Sequence, residues 1–276
     1  MTPWYQWRLA PPGFSFRTDL DQTMADHAET MRYADVSGYG SVTEFFDTHF
    51  WSHPRLLAYE RFIVKTVPKT TPLFSLASGR AALEMRLLQY GYQVDCSELE
   101  PVHPELMRRL FPEYRACAFD VLTSPLPARG ADGLLVMGLI YRFDLATLGR
   151  FFQRMAAMLN QNGVLIVDAT GAESARWFYD LLLPLDAKLF AWHRGGCAIS
   201  KHHGYRHRNQ EIVGLAQAAG LSCVASTEED YQTEWLRSHF YAGLARRWPT
   251  ARWWPRLFGR SLPHVRLWAF RKTCHG

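Results

Sequence analysis

Apolar residues along this chain recur at two spacings, and the switches between the spacings divide it into elements. Leu56, Tyr59, Ile63 and Val67 repeat three or four residues apart, which predicts a helix over Arg55–Val67 behind Pro54. Before it, Asp21–Tyr33 reads as a polar helix, and Ser41 with Glu44 as a capping box ahead of Phe45 and Phe46. The apolar run Leu73, Phe74, Leu76 predicts a short strand ending in the small-residue turn Ala77-Ser78-Gly79. Leu83 and Leu87 lie one helical turn apart behind it, with Gly91 placed to stop that helix. Tyr92–Ser97 is a second strand, and its end delivers Glu98.

The pattern then repeats. His103–Phe111 forms a short helix with Leu106 and Leu110 on one side, and Arg115–Phe119 a third strand ended by Asp120. The unbroken apolar run Gly133–Leu139 predicts a central strand buried on both faces. Asp144 caps a helix carrying Leu148, Phe152, Met155 and Leu159; Asn162-Gly163 breaks it, and Val164–Val167 delivers Asp168. Ala172–Leu185 is another helix. Asn209 caps one with Ile212, Leu215 and Ala219, which Gly220 ends, and Leu221–Ala225 and Val265–Arg271 are the last strands. Strands alternating with helices specify an α/β domain with a largely parallel sheet.

The first strand-turn-helix-strand carries the candidate chemistry. Gly79 lets the backbone turn sharply and approach a ligand where a side chain would collide. Amides opening the following helix have no intrahelical partner and face that ligand. Glu98, at the carboxyl end of the neighbouring strand, is placed to accept hydrogen bonds from a ribose diol. Any α/β domain can hold such a turn without a ligand; Glu98 in register is what favours a nucleoside.

In that register the segment resembles the cofactor-binding opening of the class I S-adenosylmethionine-dependent methyltransferases. Ser75 stands at the leading acidic position of their glycine-rich signature, and Ala77, Gly79 and Ala81 at its three glycines. Only the middle glycine is kept. Alanine at the flanking positions adds a methyl to a crowded turn, which ordinary backbone angles would accommodate. The resemblance implies a Rossmann-like seven-stranded mixed sheet with helices on both faces, its last strand antiparallel in a hairpin with the sixth. It implies a helical N-terminal extension over residues 1–70, a methyltransferase-like domain over 71–276, and an inserted basic aromatic helical segment at 229–262. It makes Ala77, Ser78, Gly79, Glu98 and Leu99 cofactor contacts, with Asp120 and Val121 at the adenine and Met137 and Gly138 near the transferred methyl. Tyr33, Tyr39, Phe45, Phe46 and Trp51 are either a cover for the acceptor or packing for this layer.

A sulfonium is already a strong electrophile, so methyl transfer chiefly needs alignment, and an oxygen or amine acceptor can also need a base. The histidine pool is His193, His202, His203 and His207; His202 or His203 beside Tyr205 is the candidate base, with Tyr141 against the acceptor. Three of these histidines could meet on a turn, but their spacing is no known zinc pattern, so no metal is expected.

Charge and composition then narrow the surroundings. The net charge is +5, yet beyond Glu234 there is no acid, while arginines and five of the ten tryptophans crowd that tail. Such a tail suits snorkelling over a core, contact with an anionic membrane surface, or, least well, nucleic acid. No apolar run approaches the ~20 residues of a membrane span, and the start lacks a signal segment. Five unpaired-looking cysteines fit a reducing compartment. The expectation is a cytoplasmic enzyme, peripheral to the inner membrane face at most. It would methylate a small-molecule or carbohydrate-like acceptor, lipid-linked ones included. The competing reading is a non-catalytic binding or scaffolding relative; a nicotinamide dehydrogenase ranks third, disfavoured by the missing flanking glycines.

Overall fold

The computed structural model describes residues 40–51, 54–99, 104–169, 207–229, 246–253 and 265–273. Seven strands form one sheet: β1 (Leu73–Leu76), β2 (Val94–Glu98), β3 (Ala116–Ala118), β4 (Ala131–Val136), β5 (Leu159–Ala169), β6 (Leu221–Glu229) and β7 (Val265–Lys272). Their order across the sheet is β3-β2-β1-β4-β5-β7-β6. Strands β1 to β5 run parallel, while β7 lies antiparallel between β5 and β6. The chain order reverses between β1 and β4, so a crevice opens at their carboxyl ends, where open α/β sheets bind ligands.

Helices cover both faces. On one side lie α1 (Val42–Phe46), a π-turn (Asp47–Trp51), α2 (Pro54–Thr66) and α3 (Ala82–Gln89); α4 (Pro104–Leu110) joins them. On the other lie α5 (Leu145–Met158) and α6 (Asn209–Ala218). Strand alternation sorts the cores. Leu135 and Ile166 point into the first, with Phe45, Tyr59, Ile63 and Leu87; Leu134, Val136, Leu165 and Val167 point into the second, with Phe152 and Met155. Phe45 and Phe46 therefore pack, both edge-on to Phe111. The N-terminal helices form a full layer of the sandwich.

Local signals explain most boundaries. Ser41 Oγ accepts from the Glu44 amide, and Glu44 from the Gly40 amide, at the start of α1. Gly91 takes φ +86° after α3, and the Tyr92 amide donates to the Leu87 carbonyl, a left-handed helix stop. Several boundaries move: β4 ends at Val136 rather than Leu139, and β6 runs on to Glu229 rather than stopping at Ala225. Asn209 is the first helical residue of α6 with Arg208 at the cap position, where the Arg208 amide donates to Glu211. Strand β5 begins at Leu159, before Asn162-Gly163, because Leu159 already pairs with Ala131 across a register shift. The expected helix Ala172–Leu185 and most of 229–262 lie outside the described residues.

Candidate functional site

The loop joining β1 to α3 has an uncommon backbone. Ala77, Gly79 and Ala81 all lie in the left-handed region, at φ 56°, 57° and 54°. These are the three positions where the glycine-rich signature places glycine, and the two alanines adopt its conformation despite their Cβ atoms. Ordinary angles do not occur there. One tertiary and one local bond hold the shape: the Ser78 amide donates to the Ser97 carbonyl on β2 at 3.0 Å, and the Ala81 amide to the Ser78 carbonyl within the turn at 2.9 Å.

Glu98 closes the loop from the next strand. Its Oε1 accepts from the Gly79 amide at 2.5 Å and its Oε2 from the Leu99 amide at 3.2 Å. Burial pushes its pKa up, and the two amides and the Arg142 guanidinium pull it partly back. The candidate contacts Ala77, Ser78, Gly79, Glu98 and Leu99 thus lie together. Asp120 sits at the end of β3, but its carboxylate accepts from the Leu122 amide at 2.8 Å and the Thr123 hydroxyl at 2.6 Å. Burial raises its pKa, and these bonds with Arg154 outweigh that, so the net direction is down. Val121 beside it is buried in the second core.

Strand β4 supplies the far wall. Gly138 has φ +67°, with nothing near a Cβ placed there, so it leaves open space beside Met137. Its amide donates to Asp168 Oδ1, and the Tyr59 hydroxyl donates to Asp168 Oδ2. Burial raises the Asp168 pKa against the pull of Arg55, Tyr59 and Gly138. Asp168 thereby ties the tips of β4 and β5 to α2. Tyr141 is half-buried on the following 3-10 turn (Ile140–Arg142), with the Arg142 guanidinium 5.3 Å from its ring centroid.

Beside them an open cavity of about 430 Å³ lies at the carboxyl edge, a volume typical of small-molecule sites; Ala77, Ser78, Met137 and Gly138 reach it, whereas Glu98, Leu99, Asp120, Val121 and Tyr141 are not in its lining. Arg55 and Tyr59 from α2, His49 from the π-turn, Arg80 and Glu84 from the loop and α3, and Met137 and Gly138 line it. The Arg80 guanidinium lies 3.1 Å from His49 Nδ1. His49, Arg55, Tyr59, Arg80 and Glu84 were not singled out by sequence. One signal was present for Glu84: a charge within Ala82–Met85, a run in which every residue is buried.

His202, His203 and Tyr205, with His193, lie outside the described residues. His207 is buried, and burial lowers its pKa against opposing effects from the Phe143 and Ile140 backbone. Among the described residues no three His, Cys, Asp or Glu side chains are grouped to hold a metal, and no helix is long and apolar enough to cross a membrane.

Solved structures share this fold over most of the chain. The magnesium protoporphyrin IX methyltransferase of Synechocystis PCC 6803, with bound S-adenosylhomocysteine, superimposes with TM-score 0.55 at 11% identity, covering 94% of this chain and 100% of that one. The 1,6-didemethyltoxoflavin-N1-methyltransferase of Burkholderia thailandensis gives 0.53 at 15% identity, covering 91% and 90%. The fold is that of the class I S-adenosylmethionine-dependent methyltransferases. The N-methyltransferase NodS of Bradyrhizobium japonicum WM9 gives 0.51 at 12% identity over 91% and 98% of the two chains. No family model matches the sequence, and no curated protein does. Within this methyltransferase fold, the left-handed loop, Glu98 and the cavity all stand at the switch-point edge of the sheet.

Proposed function

We propose that this chain binds S-adenosylmethionine at the β1–α3 loop and transfers its methyl group to a small-molecule acceptor. The observation that carries the reading is Glu98 meeting the Gly79 amide across the sheet's switch point, on a loop with three left-handed residues. A carboxylate offers about four acceptor sites. Two backbone amides occupy part of Glu98, leaving capacity for a ribose diol. Ala77, Ser78, Gly79 and Leu99 would flank the nucleoside, with Val121 at the base and Asp120 shaping the turn beside it.

The cofactor supplies a sulfonium-activated methyl group. The protein's part is alignment and water exclusion. Gly138 and Met137 would border the methyl, with Tyr141 against the acceptor. Arg55 and Arg80 on the cavity wall favour an acceptor that carries negative charge, which a carbohydrate phosphate or a lipid-linked sugar would satisfy. His202 or His203 with Tyr205 is the proposed base where the acceptor must lose a proton.

Calorimetry with S-adenosylhomocysteine tests the reading. Micromolar binding is expected, weakened at least about tenfold by Glu98→Ala, the loss of one charge-assisted contact pair. Absence of heat at high protein concentration refutes it in favour of a non-catalytic relative. An unchanged affinity in Glu98→Ala removes the ribose assignment alone.

A further inference from the structure

Between β3 and β4 the chain crosses two intervening strands, β2 and β1, and all four run parallel. Such a crossover is usually made by a helix. Here Phe119–Gly130 makes it without one, through a turn at Asp120–Ser124 and irregular chain. A helix would pair its own backbone groups, whereas this segment takes partners from outside itself. The Ser124 amide donates to the Asp120 carbonyl at 3.1 Å, and the Asp120 amide to the Ser124 hydroxyl at 2.8 Å. Two carbonyls of the turn are met from α5: Arg154 Nε donates to Val121 at 2.9 Å, and Nη2 donates to Ser124. The planar guanidinium thus spans carbonyls three residues apart, which a single ammonium cannot do. Its helix is fixed, with Phe151, Phe152 and Met155 buried in the second core, where Phe119 and Val121 also sit. The turn is tied in the other direction as well, because the Phe119 amide donates to the Glu98 carbonyl at 2.8 Å.

We propose that Arg154 is a positioning residue for base selectivity: in place of a crossover helix, its guanidinium holds the Asp120–Ser124 turn where Asp120 can meet the edge of the bound base. The inference rests on the S-adenosylmethionine reading and deepens it, since Arg154 acts through the turn and not on the ligand. The carboxylate of Asp120 is itself fixed by the Leu122 amide and the Thr123 hydroxyl, so its direction follows the turn. Burial raises the Asp120 pKa, and the bonds from Thr123 and Leu122 together with the Arg154 charge outweigh that and keep it ionised. An ionised carboxylate only accepts hydrogen bonds, which suits a base edge carrying an amine and repels one carrying a carbonyl. Loosening the turn therefore removes a preference between bases before it removes the site.

The test is calorimetry with S-adenosylhomocysteine and S-inosylhomocysteine, which differ only in an amine or a carbonyl on the base. The parent should prefer the adenine ligand at least about tenfold. Arg154→Met should bring that ratio close to one, chiefly by weakening S-adenosylhomocysteine about tenfold. Arg154→Lys keeps the charge but cannot reach both carbonyls, and should lower the ratio at least about threefold. Arg150→Met, one turn earlier on the same helix where Nη2 donates to the Thr147 hydroxyl, should match the parent with both ligands. A parent ratio retained in either Arg154 variant overturns the proposal, including the case in which both ligands weaken equally, since that is what a purely structural arginine would give. Should Arg154→Met not fold, Arg154→Lys decides alone. Equal affinities for the two ligands in the parent overturn the proposal and leave the S-adenosylmethionine reading standing. Absence of heat from S-adenosylhomocysteine with the parent removes that reading and the proposal with it.

Discussion

Ala77→Gly should stabilise this protein, and Ala81→Gly should not. Both alanines hold left-handed backbone, at φ 56° and 54°, a conformation that costs an L-residue roughly 1–2 kcal/mol. Glycine removes that cost but loses about 0.4–1 kcal/mol through its greater freedom in the unfolded chain. Ala77 is half-buried, so its methyl contributes little packing, and the balance is a gain of about 0.5–1 kcal/mol. Ala81 is only 1% exposed, at the start of α3, and deleting its methyl forfeits about 0.8 kcal/mol of burial. Its balance is near zero. Urea unfolding of the ligand-free protein, with slopes held equal, measures both. The converse substitution checks the same backbone: Gly79→Ala meets no atom within 4 Å, so any loss of about 1 kcal/mol comes from φ alone. If Ala77→Gly is less stable than the parent while Gly79→Ala is neutral, the loop does not hold three left-handed residues.

Other outcomes follow from the buried acids. Tyr59→Phe removes a donor from buried Asp168 and should cost about 1–3 kcal/mol in denaturant unfolding, since the carboxylate is left under-satisfied. An equal stability would mean that water replaces the hydroxyl. The folded Glu84 pKa of about 7 lies above its ordinary 4.5, so the folded protein holds that proton more tightly than the unfolded chain. Its contribution is fully present below pH 4.5 and is lost as pH rises through about 7. Glu84→Gln should therefore gain on the parent in thermal unfolding at alkaline pH and show no such advantage at acid pH; a constant difference across pH refutes the shift.

The order of elements was legible because each one announces itself locally. Gly91 stops α3, Asp144 caps α5 through the Thr147 amide at 2.7 Å, and period-two alternation sorts Leu134 from Leu135. Glu98 was legible for the same reason, as an acid where a strand ends. The cavity's other walls were not. Tyr59 meets Asp168 across 109 residues and Arg80 meets His49 across 31, and no periodicity encodes such pairings. Tyr59 instead looked like one more apolar position on the face of Leu56, Ile63 and Val67. Its ring does pack there, while its hydroxyl does separate polar work at the sheet edge.

Reading the loop one position at a time makes it look decayed: serine for an acid, alanine for two glycines. In space the departures are compensated. The alanines keep glycine's backbone, and the Ser75 hydroxyl donates to the Glu84 carboxyl nine residues on, so an acid still stands beside this turn, on the helix instead of the strand. Burial raises the Glu84 pKa to about 7, so around neutrality the acid that Ser75 holds stands near its midpoint, and a change at either residue shifts that balance.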